Sequence, residues 1–189
     1  MIRSSTESAP PALAWFSRVR ALEGRTLTAV AYLCGAVFLL YSFYVALEVI
    51  GRRYVGVYTG ITDEIGGYVL VFGSSLALAY TLLVDGHVRI DILFKAISPG
   101  LRRWFDMLAF ASMAIFAWTV TYYLCDLAAQ SFRIDATGHS LIEMPQWIIQ
   151  AFLTLGYFLL GLSALSSLTS RILEFLFPAH WADPLRTDG

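Results

Sequence analysis

Four long stretches of the chain carry no Asp, Glu, Lys or Arg, and charged residues flank each of them. They cover residues 26–47, 65–84, 107–125 and 144–170, or 22, 20, 19 and 27 positions. A helix needs roughly 20 apolar residues to cross about 30 Å of hydrocarbon, so each run is sufficient or nearly so. Backbone groups in lipid must be satisfied within the spanning structure, which leaves helices or a closed barrel. None of the runs alternates apolar and polar residues as a barrel strand does. The pattern predicts an all-α integral membrane protein with four transmembrane helices, over about residues 26–50, 65–84, 104–126 and 145–170.

The segments between the runs carry patterns of their own. In residues 12–25, Trp15, Phe16, Val19 and Leu22 fall on one helical face, while Ser17, Arg18, Arg20 and Arg25 are expected to face away. This suits an amphipathic helix lying in the membrane surface, or else an extension of helix 1 into the cytoplasm. Residues 88–97 (VRIDILFKAI) are also amphipathic and too short to span, with Asp91 and Lys95 as an i,i+4 pair. Ser98-Pro99 reads as an N-cap followed by proline at the first helical position of helix 3. Pro145 marks a sharp start for helix 4, with Trp147 at interface depth. Residues 1–25 and 171–189 are expected to be tails around a transmembrane domain of residues 26–170. The start does not resemble a cleavable signal peptide, so helix 1 is expected to stay as a signal anchor.

Composition narrows the class. With 58% hydrophobic and 14% charged residues, against about 25% charged in a soluble domain, the chain is neither soluble nor disordered. A net charge of −1 excludes nucleic-acid binding through a basic footprint. That near-neutral total hides an asymmetry. Ten of the 13 basic residues lie in the N-terminal tail, the segment between helices 2 and 3, and the C-terminal tail. Three, Arg52, Arg53 and Arg133, lie on the other side. The positive-inside rule then places both termini in the cytoplasm. Trp15, Arg18, Arg20, Arg102, Arg103 and Trp104 are the expected membrane anchors.

Candidate chemistry is sparse. No ionisable residue falls near the middle of a span, where a transport or proton-relay carboxylate would sit. His87, His139 and His180 lie outside the spans, so no helix face offers haem ligands. Cys34 and Cys125 are far apart and read as structural thiols. No catalytic, cofactor-binding or metal constellation is expected, and the chain reads as a non-enzymatic scaffold or partner subunit. What the spans do show is packing surface. Gly66, Gly73 and Ala77 share one face of helix 2 within about 40°. Gly156, Ser163 and Ser167 do the same on helix 4. Such faces let another helix approach closely, inside the bundle or in a partner protein.

The stretch from Arg52 to Leu93 carries a more specific pattern. Arg52-Arg53-Tyr54 precedes Asp63-Glu64-Ile65-Gly66-Gly67-Tyr68. A run of small residues follows from Gly73 to Ala79, closing on Asp85-Gly86-His87-Val88-Arg89-Ile90-Asp91. Gly138 and Ser140 then lead to Pro145-x-Trp147. This order resembles the small membrane subunit of tripartite ATP-independent periplasmic (TRAP) transporters over about residues 26–170. Thr62 departs from the pattern by standing where the family often has Trp. Thr62 could N-cap helix 2, with Asp63 and Glu64 complementing its dipole, or the acidic pair could meet Arg52 or Arg53. His87 and Asp91 could share a hydrogen bond on one helical face, or cap a solvated helix end.

The resemblance implies a scaffold subunit that works in the inner membrane. Its implied partners are a large membrane subunit of about twelve spans, a periplasmic substrate-binding protein and the lipid bilayer. It implies import of an organic acid anion driven by an ion gradient, sodium being the coupling ion in such systems. Rival readings are a four-span membrane enzyme or electron carrier, and a self-sufficient small exporter.

Overall fold

A computed structural model describes residues 11–54, 56, 60–84, 99–138 and 143–176. Gly86, His87 and Asp91, and the amphipathic segment 88–97, lie outside the described residues. Four helices follow one another: α1 Pro11–Tyr54, α2 Thr62–Leu83, α3 Pro99–Arg133 and α4 Gln146–Leu176. All four are long and apolar enough to cross a membrane. Strand-like pairing among the described residues is confined to one isolated bridge, between Thr137 and Pro145.

The helices exceed what the bilayer requires. α1 has 44 residues, so it is about 66 Å long at about 1.5 Å per residue. It runs unbroken through the boundary expected near residue 26, so the amphipathic segment and the span are one rod. Several hydroxyls inside the apolar runs are satisfied locally. Ser42, Thr119, Thr121, Thr154 and Thr169 each bond back to the carbonyl four residues earlier. This removes the cost of an unpaired polar group in lipid.

α4 is the hub, packing on α3 along one side and on α2 along another, while α1 packs mainly on α2. Leu82 of α2, Phe110, Ala114 and Ala117 of α3, and Leu160 and Ala164 of α4 form the common core. Gly156 of α4 sits against the backbone of Ser75 of α2, where an added Cβ would come within 2.5 Å of the Ser75 carbonyl oxygen. Gly161 faces the Trp118 indole, and Trp118 meets Phe158 edge-on at 5.5 Å. α1 and α3 carry most of the exposed bulk, including Leu40, Phe43, Leu47, Ile115, Tyr122 and Tyr123. That distribution is natural for helices bordering lipid or another membrane protein.

The connection from α3 to α4 is closed by backbone bonds. The Ala136 N–H donates to Ser131 C=O (3.0 Å) and the Asp135 N–H to Phe132 C=O (3.4 Å), with Asp135 at φ 49°. This is a Schellman ending with Asp in the left-handed position that glycine usually occupies. Gly138 N–H to Met144 C=O and Gln146 N–H to Ala136 C=O then clamp the loop at 3.1 and 3.0 Å. Phe132 stacks edge-on against Trp147 at 5.6 Å.

The Gly156 contact gives a paired prediction. Gly156→Val should lower unfolding stability in detergent by about 1–3 kcal/mol or more, because backbone must move to admit the side chain. Gly67→Ala, which meets nothing within 4 Å, should be neutral or stabilising by up to about 1 kcal/mol. Thermal unfolding of both variants checks the contrast.

Candidate interaction surfaces

The small faces expected on α2 and α4 are found inside the chain. Gly66 lies under the ring of Tyr41 and Gly73 under the ring of Phe38, both from α1. Gly156 takes the α2 backbone, Ser163 is buried, and Ser167 is buried against Arg20. These residues close intrachain contacts rather than present a free surface, because the room left by their small side chains is already filled. Ala77 of the same α2 face is half-buried.

At the end of the bundle that carries Arg52 and Arg53, α1 and α2 are joined by Tyr41, whose hydroxyl donates to the Thr62 carbonyl at 2.6 Å. The capping role expected of Thr62 is corrected. Ile61 holds the N-cap position and has no side chain able to cap, while Thr62 is already helical. Asp63 and Glu64 do sit in the first turn, where their charge complements the helix dipole. Glu64 also accepts a hydrogen bond from Tyr68 at 2.7 Å. Arg52, Arg53 and Asp63 are exposed around this end.

The opposite end, which carries Arg103 and Arg171, is the inner end in the orientation expected from the charge asymmetry. Here the structure corrects the outward direction expected of Arg20. Its side chain turns into the bundle and is only 4% exposed. Nη1 donates to Ser166 Oγ at 2.8 Å and to Glu23 Oε2 at 3.1 Å, and Nη2 donates to Ser167 Oγ at 2.8 Å. The Ser166 hydroxyl in turn lies 2.8 and 2.9 Å from the two Glu23 carboxylate oxygens. α1 is thereby pinned to α4 by a neutralised, hydrogen-bonded cluster. Sequence reasoning missed it, although two signals were present. Arg20 and Glu23 are three apart, and Ser163, Ser166, Ser167 and Ser170 form one polar stripe on α4.

The remaining expected anchors lie outward. Trp15 and Trp104 are each 66% exposed, and Arg18 and Arg103 are exposed too. Arg102 lies on α3, and its side chain is outside the described part. Arg171 stands 5.8 Å over the Phe110 ring and pairs with Glu174 at 3.3 Å. Pro145 forms the base of the loop between α3 and α4. Among the described residues no three His, Cys, Asp or Glu side chains converge as a metal site would need.

A bundle of four apolar helices with its small faces closed internally and its aromatic faces open sideways defines a multi-pass membrane protein suited to lateral contact. The chain belongs to the family described as tripartite ATP-independent periplasmic transporters, DctQ component, which it matches over residues 41–174. It is therefore a component of a TRAP transporter, a family of transport proteins that implies a large membrane subunit and a binding protein as partners. No curated protein and no solved structure matches the chain. The family match begins at Tyr41, so Arg20 and Glu23 lie before it while Ser166 and Ser167 lie within it.

The pin makes its own prediction. Arg20→Met should destabilise the protein by about 1–3 kcal/mol, since charge-assisted hydrogen bonds are lost and Glu23 is left with one fewer partner. Arg18→Met, an exposed control, should stay within about 0.5 kcal/mol. Pairing Arg20→Met with Glu23→Gln should cost less than the two single changes added together. Additive effects in thermal unfolding would remove the cluster from the account.

Proposed function

We propose that this chain is the scaffold and anchor subunit of a secondary-active, ion-gradient-driven, binding-protein-dependent importer of an organic acid anion. A large membrane subunit of about twelve spans carries the substrate and coupling-ion sites, sodium being the expected ion. A periplasmic protein delivers the substrate. The small subunit sits in the inner membrane with both termini in the cytoplasm. The observation that carries this reading is the family match over residues 41–174, laid on four spans that hold no charge at mid-depth.

The anchoring role follows from where the charges and indoles stand. A domain that moves substrate across the bilayer needs a neighbour that does not move with it. Trp15 and Trp104 at interface depth, with Arg18, Arg102 and Arg103 at the inner surface, resist displacement along the membrane normal. The pin at Arg20 supports this differently from the outward direction first expected. It stiffens the inner arm of α1 against α4, so the exposed anchors act on a rigid body.

Gentle solubilisation of the tagged chain should copurify a membrane protein of about twelve spans. Proteoliposomes containing that subunit and the binding protein should accumulate labelled carboxylates only when this chain is present. Full uptake without it would end the scaffold reading. Orientation is tested separately in a cysteine-free background. Thr137→Cys, in the outer loop, should react with a membrane-impermeant maleimide on intact spheroplasts, and Ala14→Cys only after lysis. The reverse pattern would overturn the assignment of both termini to the cytoplasm.

A further inference from the structure

α1 continues past the end of α2 toward the inner surface, and an open groove of about 560 Å³ lies where the two part. Its α1 wall is built from small side chains, Ala21, Gly24, Thr28 and Ala29. Leu83, the last helical residue of α2, closes the deep side together with Tyr32. Arg25 lines the same groove and is exposed. It immediately precedes the charge-free run that begins at Thr26, so its guanidinium stands at the boundary between water and hydrocarbon. Tyr32 lies seven residues deeper, about 10 Å into the apolar layer. Arg18 is exposed on the same stripe of α1, two turns toward water.

We propose that this groove is a specific site for one anionic phospholipid of the inner leaflet. The headgroup phosphate lies against Arg25, and an acyl chain lies over the small-residue wall toward Tyr32 and Leu83. Three properties favour this occupant. The groove opens sideways to the bilayer and its floor is apolar, as an acyl chain requires. Its cation stands at headgroup depth, where Arg forms bidentate, charge-assisted bonds to phosphate. Arg20 and Glu23 neutralise each other on another face of the helix, and among the described residues lining the groove there is no carboxylate to compete for Arg25. The inference rests on the proposed cytoplasmic N-terminus for its leaflet, and does not depend on which substrate the transporter moves.

Native mass spectrometry of the full-length chain, with any subunit that copurifies, tests the site. Phosphatidylglycerol and phosphatidylcholine are the probes. The wild type should retain one phosphatidylglycerol at activation energies that strip phosphatidylcholine. Arg25→Gln should weaken that adduct about fivefold, the ratio equivalent to about 1 kcal/mol for one basic side chain at an anionic lipid surface. Ala29→Phe, which fills the groove without changing charge, should also weaken it. Arg103→Gln, at the inner end of α3 and away from the groove, should leave it intact. Circular dichroism and a monodisperse elution profile establish that each variant is folded. Equal retention of the two lipids, or equal loss from wild type and both groove variants, would overturn the site. So would displacement of the adduct by millimolar inorganic phosphate, which would mark a free-anion site.

Discussion

The bundle depends on one close approach. At Ser75 and Gly156 the backbones of α2 and α4 come near enough that a single methyl group would collide with a carbonyl. In lipid the hydrophobic effect does not drive helices together, so association rests on van der Waals contact and hydrogen bonds. Small residues at the crossing let both operate. From that crossing α4 reaches α3 through Leu160 and Ala164, and α2 reaches α1 through Gly66 and Gly73. The Phe72 and Phe152 rings, edge-on at 5.2 Å, flank the crossing toward the Tyr41 end. Aromatic bulk therefore surrounds the small residues and is otherwise turned outward.

At the two ends the helices are tied by polar contacts of different kinds. At the Tyr41 end, a single neutral bond to a backbone carbonyl joins α1 to the start of α2. At the Arg20 end, a charged pair and two serines join α1 to α4. Burying an Arg–Glu pair is costly unless the remaining donors and acceptors are met, and here the hydroxyls supply much of that demand. The consequence is geometric. α1 packs mainly on α2 and is also tied to α4 near its own N-terminus, at Arg20.

Much of this was legible in the chain because lipid imposes strong rules. Charge-free length alone marks four helices, and proline marks the start of α3 at Pro99. What escaped was relational. Helical spacing placed Arg20 away from Trp15, which is correct, but it could not say that Ser166 and Ser167, far along the chain, would be waiting there. The small faces were visible as patterns, yet whether a neighbour inside the chain or outside it would fill them depends on crossing geometry. Thr62 failed as a cap for a similar reason. Its carbonyl is drawn to Tyr41 while Ile61 takes the capping position, and propensity yields to that tertiary contact.

The division of surface bears on the proposed scaffold role. A scaffold must be stiff along its own axis and adherent to its surroundings. Stiffness comes from α4, whose small and serine positions are already engaged on three sides by α1, α2 and α3. Adherence requires the opposite chemistry, with large side chains free to meet lipid or protein, and α1 and α3 provide it. Were the small faces free instead, the same helices could slide or exchange partners at little cost. Because they are occupied inside the chain, contact with another protein falls to aromatic and aliphatic side chains. Their larger area suits a broad, static interface better than a sliding one, which is what the proposed scaffold role requires.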